Sequence, residues 1–167
     1  MLSNNTTRKP LAYNIALARI KEEQQRLQRQ AEWLKAHQKH INAIAKRFEK
    51  LPEGTLTYGP SFSISQGYED ISLTMSATMS NIEGFKCEQL KSVLELFIDA
   101  DETSSTDWAE YLNRDFRFTF KIADSKDTIM VNIAAYAKPD SPTCQKILKE
   151  VKTTTREVNV YEMVCTE

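Results

Sequence analysis

The sequence predicts an α+β protein, with a long N-terminal coiled-coil helix followed by a small antiparallel-sheet domain that carries one covering helix. Three observations predict it. Residues 11–51 contain neither Gly nor Pro and are dominated by Ala, Leu, Lys, Arg, Gln and Glu, all good helix formers. Their apolar residues recur every seven positions, the spacing of a helix–helix seam. Beyond Gly54 the apolar period changes from seven to two, the period of strands with one face buried.

Residues 1–10, MLSNNTTRKP, read as a flexible leader. They hold no apolar h-region, so no secretory signal is expected. Pro10 suits a first helical turn, where its missing N–H would be unpaired in any case. The helix then runs over 11–51 and stops at Leu51-Pro52-Glu53-Gly54, because the residue before a proline disfavours the α region. One heptad row is bulky: Ile20, Leu27, Leu34, Ile41 and Phe48, with Tyr13 extending it backwards. The companion row is Leu17, Gln24, Ala31, Gln38 and Ala45. Gln within a seam weakens association but sets register. Leu17, Ile20, Leu27, Ala31, Leu34, Ile41 and Phe48 are therefore the candidate oligomerisation residues. A helix of about forty residues rises roughly 60 Å. A bare helix of this kind is unstable without packing, and a second copy of the chain is the simplest partner. A homodimer or higher homo-oligomer is expected.

Residues 52–167 form the acidic α+β domain, ββαβββ or ββαββββ. Leu56, Tyr58, Phe62 and Ile64 alternate around Gly59-Pro60, as in a kinked or edge strand. Ile71, Leu73, Met75, Ala77 and Met79 alternate with Ser and Thr, a half-buried strand. Cys87 to Ala100 reads as a helix with Leu90, Val93, Leu94 and Phe97 on one face. Asp99 to Asp107 reads as a polar loop, and Trp108, Tyr111 and Leu112 as a helical turn. Phe116 to Ile122 and Ile129 to Ala137 form a hairpin about Ala123–Asp127. Thr143 to Val151 is either a helix capped by Ser141-Pro142 or a strand, with two closing strands favoured. Val158, Val160 and Val164 belong to the last strand.

Charge divides the chain. Residues 1–50 hold eleven Lys/Arg and four Asp/Glu, a net +7; residues 51–167 hold eleven and nineteen, a net −8. Such an asymmetry points to distinct partners or to packing of one half on the other. The outer helix face carries Arg19, Arg26, Arg29, Trp33, Lys39, His40, Lys46 and Arg47, candidates for contacts with a protein partner or with nucleic-acid phosphates. An acidic docking surface is written between Ser92 and Asn113 as Glu95, Asp99, Asp101, Glu102, Asp107 and Glu110. A small inhibitor of the kind mobile elements encode would use such a surface to block a basic site of a host enzyme. The plainer reading of both stretches is a solvated polar surface.

Nothing in the residue pattern points to an enzyme. His37 and His40 are the two histidines and lie three apart, with no nearby Cys, Asp or third His to complete a metal site. The four glycines form no phosphate-cradling motif. Asp99-Ala100-Asp101-Glu102 lacks the glycine and downstream Glu of a calcium loop. Cys87, Cys144 and Cys165 are odd in number and widely spaced, which favours reduced thiols in a cytoplasmic protein. No cofactor, metal or membrane partner is expected. The sequence reading is thus a non-enzymatic protein–protein interaction module that self-associates through its helix and offers its α+β domain to a macromolecular partner. Nucleic-acid binding through the basic face and enzyme inhibition through the acidic surface are the alternatives.

Overall fold

A computed structural model describes residues 11–108, 111–139, 144–153 and 157–165, with side chains described in 11–108, 111–139 and at Cys165. The class is α+β. The chain divides into two compact units, residues 1–38 and 39–167.

The first unit contains the helix α1, Leu11–Ala36, whose buried residues are Gln30 and Trp33. Its heptad row lies in solvent: Ile20 is 54% exposed, Leu27 51% and Leu34 37%. A second helix, α2 (Gln38–Phe48), follows after a turn at His37. The single helix expected over 11–51 is therefore two, and the break carries no Gly or Pro. The His37 N–H still bonds the Trp33 carbonyl at 3.0 Å, so that helical bond persists across the break.

Within the second unit, α2 buries Ile44 and Phe48. The Phe48 ring meets Phe97 at 5.1 Å, and Phe97 meets Phe118 at 5.4 Å. Phe48 is thus a core residue and cannot serve the oligomerisation role expected of it, while Ile41 is half-buried. Strands β1 (Tyr58–Gln66) and β2 (Ile71–Ile82) form an antiparallel pair. Helix α3 follows at Glu88–Glu95, shorter than the expected 87–100, with Leu90 and Val93 buried. Then come β3 (Glu102–Trp108), β4 (Asn113–Lys121) and β5 (Thr128–Ala137). The sheet order is β1-β2-β5-β4-β3.

Two expectations are corrected here. Residues 102–108, read as loop and helical turn, form a full edge strand paired with β4. All seven of its residues are exposed, so no apolar alternation marks it. The sheet is also not wholly antiparallel, because β2 and β5 run parallel. That pairing requires a crossover, which α3, β3 and β4 provide.

One sheet face is the core. Met75, Met79, Ile129, Val131, Ile133 and Ala135 on β2 and β5 are fully buried. The residues between them on both strands are mostly half-buried and make up the opposite, polar face. The hairpin loop expected at 123–127 is present, with Asp124 at φ 59° and the Ile122 N–H bonding the Asp127 carbonyl at 3.0 Å. The ambiguous final segment is a strand, β6 (Cys144–Thr153), paired antiparallel with β7 (Glu157–Cys165) as a separate two-stranded sheet. Cys165 is disulfide-bonded, and Cys144 stands opposite it in the register. The expectation that all cysteines are reduced thiols is thereby overturned, although Cys87 is free.

Candidate functional site

The basic stripe is divided by the break at His37. Arg19, Arg26 and Arg29 are exposed on α1. Arg26 pairs with Glu23, its Nε 2.9 Å from a carboxylate oxygen. This hydrogen bond lowers the Glu23 pKa and raises that of Arg26. Lys39, His40 and Lys46 are exposed on α2. Two members of the stripe are corrected. Trp33, expected as an exposed aromatic, is 7% exposed and tilts against the His37 ring at 4.9 Å. In that state its face is not offered to a base or a partner. Arg47 is committed to its own unit: its guanidinium donates to both Asp99 oxygens and to the Leu96 carbonyl. It also lies 5.2 Å over the Phe120 ring. Arg47 therefore caps the end of the α3 region.

The acidic surface is compensated in part, since Asp99, Glu102 and Asp107 each face a cation. The Arg47 hydrogen bond is the main reason the Asp99 carboxyl sits below its ordinary range. Glu102 pairs with Lys121 at 2.6 Å, a hydrogen bond that raises the lysine pKa. Asp101 accepts the Lys121 backbone N–H at 2.7 Å. Asp107 accepts two Arg114 donors, one at 2.9 Å. Glu95 is exposed, and Glu110 lies outside the described residues. The paired carboxylates are largely exposed, so each pair adds little to stability.

Two concavities lie in the second unit. The larger, about 960 Å³, runs between α3 and the β3 edge. Phe116, Phe118, Leu94 and Ile98 supply its apolar floor and wall, and Lys86 and Lys91 its rim. The smaller, about 300 Å³, lies on the polar face of the sheet. Strand register assembles it from two rows across four strands. Ser76, Asn132, Arg117 and Ser104 form one row; Thr78, Ala134, Asp115 and Thr106 form the other. Small Ala134 leaves the hollow, and Trp108 on the edge strand lines it.

The hollow is internally braced. The Trp108 indole Nε1–H donates to Asp115 Oδ2 at 2.8 Å, and Asn113 Nδ2 donates to Asp115 Oδ1 at 3.0 Å. Asn113 is itself buried. Arg117 Nε donates to Asn132 Oδ1 at 3.4 Å. None of these residues was singled out from sequence. The alternating Ser and Thr of β2, repeated by Asn132 on β5 and Arg117 on β4, is the signal that would have found them. A polar loop over 99–107 and a helical turn at Trp108, as the sequence predicts, leave no strand at that edge to complete the pattern.

Among the described residues no group of three or more His, Cys, Asp or Glu is placed to hold a metal ion. No described helix is long and apolar enough to cross a membrane. Comparison with protein-family models, curated proteins and solved structures finds no match to this chain.

Proposed function

We propose that this chain is a non-enzymatic interaction module that self-associates through α1 and presents its α+β unit to a macromolecular partner. The observation that carries the reading is the exposure of Ile20, Leu27 and Leu34 at heptad spacing along α1. Tyr13 and Ile15 add to the same helix at 46% and 48% exposure. Leaving such a row in water costs roughly 25 cal/mol for each Å² that a partner would cover. A second copy offers the same row, so an isologous helix pair buries both at once. The seam is shorter than the sequence suggested, since Phe48 belongs to the core of the second unit. Leu17, Ile20, Leu27, Ala31 and Leu34 remain as its members.

Light scattering on the intact chain tests this. A dimeric or larger mass is expected at micromolar concentration, falling to the 19.2 kDa monomer when Leu27→Asp and Leu34→Asp are combined. A wild-type monomer at high micromolar concentration would sink the reading. Binding of a basic host enzyme site has weaker support, because Asp99, Glu102 and Asp107 already hold intramolecular cations. Contact with nucleic acid rests on Arg19, Arg29, Lys39 and Lys46, and requires a gel shift that disappears between low and moderate salt.

A further inference from the structure

We infer that the hollow on the polar face of the five-stranded sheet binds a neutral saccharide, with Trp108 as its stacking platform. The site lies wholly within the second unit and does not depend on self-association through α1.

The inference starts from Trp108. An indole that is 51% exposed leaves an apolar face in water, yet its orientation is held by the bond to Asp115. Asp115 is in turn held by Asn113. A ring braced through two successive hydrogen bonds loses little further freedom on binding, which is how preorganised sites gain affinity. Large, rigid, amphipathic rings are efficient contact surfaces for ligands with one apolar and one polar aspect. A pyranose is such a ligand: its axial C–H groups form an apolar patch and its hydroxyls ring the edge.

The surrounding groups fit those hydroxyls. Ser76, Thr78, Ser104 and Thr106 bring hydroxyls that both donate and accept. Asn132 brings an amide, and Arg117 a guanidinium whose Nε donates to that amide's oxygen. Each Asp115 oxygen has one donor assigned and retains a lone pair. The volume of about 300 Å³ lies at the lower end of the roughly 300–1,000 Å³ range of small-ligand pockets.

Charge argues against polyanionic ligands, and strand order against an edge-adding peptide. The hollow carries one Arg and one Asp, so its formal charge is zero. An anionic sugar or a nucleic-acid strand draws its affinity from several cationic contacts, and these are absent from the lining. An extended peptide would instead pair along the outer edge of β3, whereas Ser76, Thr78, Asn132 and Ala134 place much of the hollow over β2 and β5, inside the sheet.

The test is an NMR titration of the full chain with maltotriose, cellotriose, mannotriose and chitotriose. Two indole N–H signals are available, from Trp33 and Trp108, and Trp108→Phe assigns them. At least one sugar should shift the Trp108 signal saturably, with an affinity of about millimolar order, while the Trp33 signal stays in place. Trp108→Ala, followed through neighbouring amide signals, and Ala134→Leu, which fills the hollow and retains its polar groups, should each weaken binding by about tenfold or more. Failure of all four sugars to shift the Trp108 signal at about tens of millimolar overturns the inference. So does undiminished binding by Ala134→Leu, or tighter binding of a heparin hexasaccharide or an oligothymidylate than of any neutral sugar.

Discussion

Helices α1 and α2 share one heptad row and meet opposite fates. On α1 the row is Ile20, Leu27 and Leu34, each more than a third exposed; on α2 it ends at Phe48, 7% exposed against Phe97. The residues are of one chemical kind and one spacing. What differs is the unit each segment belongs to. Residues 39–48 share a compact unit with the sheet and α3, whereas α1 has its own helix for a unit. The lesson is that apolar periodicity marks the face a helix must cover and leaves open what covers it.

The sharpest way to break this comparison is to empty the α2 side. Phe97 is fully buried between Phe48 and Phe118. Phe97→Ala should lower unfolding free energy by about 3–5 kcal/mol, the loss of an aromatic plus its cavity. Urea denaturation measures it, and a change under about 1 kcal/mol would show the cluster is not cooperative core. Phe48→Ala should follow closely, within the same range of about 3–5 kcal/mol. In the monomeric range of concentration Leu27→Ala should shift stability by no more than about 0.5 kcal/mol. Equal effects of Phe48→Ala and Leu27→Ala in a monomer would erase the distinction between the two helices.

Arg47 sharpens the same contrast, since it ties α2 to the α3 end while Arg19 and Arg29 extend into solvent. Arg47→Met retains the stem over Phe120 and removes the donors to Leu96 and Asp99. A loss of about 1–3 kcal/mol is expected, chiefly from the part-buried Leu96 carbonyl left without its donor, against no measurable change for Arg19→Met. The smallest effect is electrostatic. The Asp99 carboxyl is depressed below its ordinary 3.8, chiefly by the Arg47 hydrogen bond. A depressed carboxylate stabilises above its unfolded pKa, and that stability is lost as pH falls through the folded value. Asp99 is largely exposed, so screening limits the contribution to below about 1 kcal/mol. Asp99→Asn should remove a shallow part of the acid limb, below about pH 4, and leave the pH 7–9 profile of melting temperature unchanged.

Legibility in the sequence followed the apolar pattern. The strands of 71–82, 113–121 and 128–137, the hairpin at 123–127 and the helix near 88–95 were all readable, because each buries one face and so writes a period into the chain. The strand 102–108 was not, because an edge strand with every residue exposed has no buried face to mark it. The break at His37 was not readable either, since helix formers continue through it. The same limit hid the sheet hollow. Trp108 was visible as an aromatic, but its neighbours Asp115, Asn132 and Thr78 come from three other strands.

The sequence by itself determined the class, the long N-terminal helical region, the strand faces and the charge asymmetry between the halves. These are local properties, set by propensity and by periods of two and seven. Tertiary structure alone decided where the heptad row passes from solvent to core and that β2 runs parallel to β5. It also decided that Arg47 and Asp99 satisfy each other and that Trp108 and Ala134 line one hollow. Each of these joins residues about 26 to 56 positions apart. Pairings at such range are chosen by which packed arrangement buries the most apolar surface and leaves the fewest polar groups unpaired. No single segment carries that information.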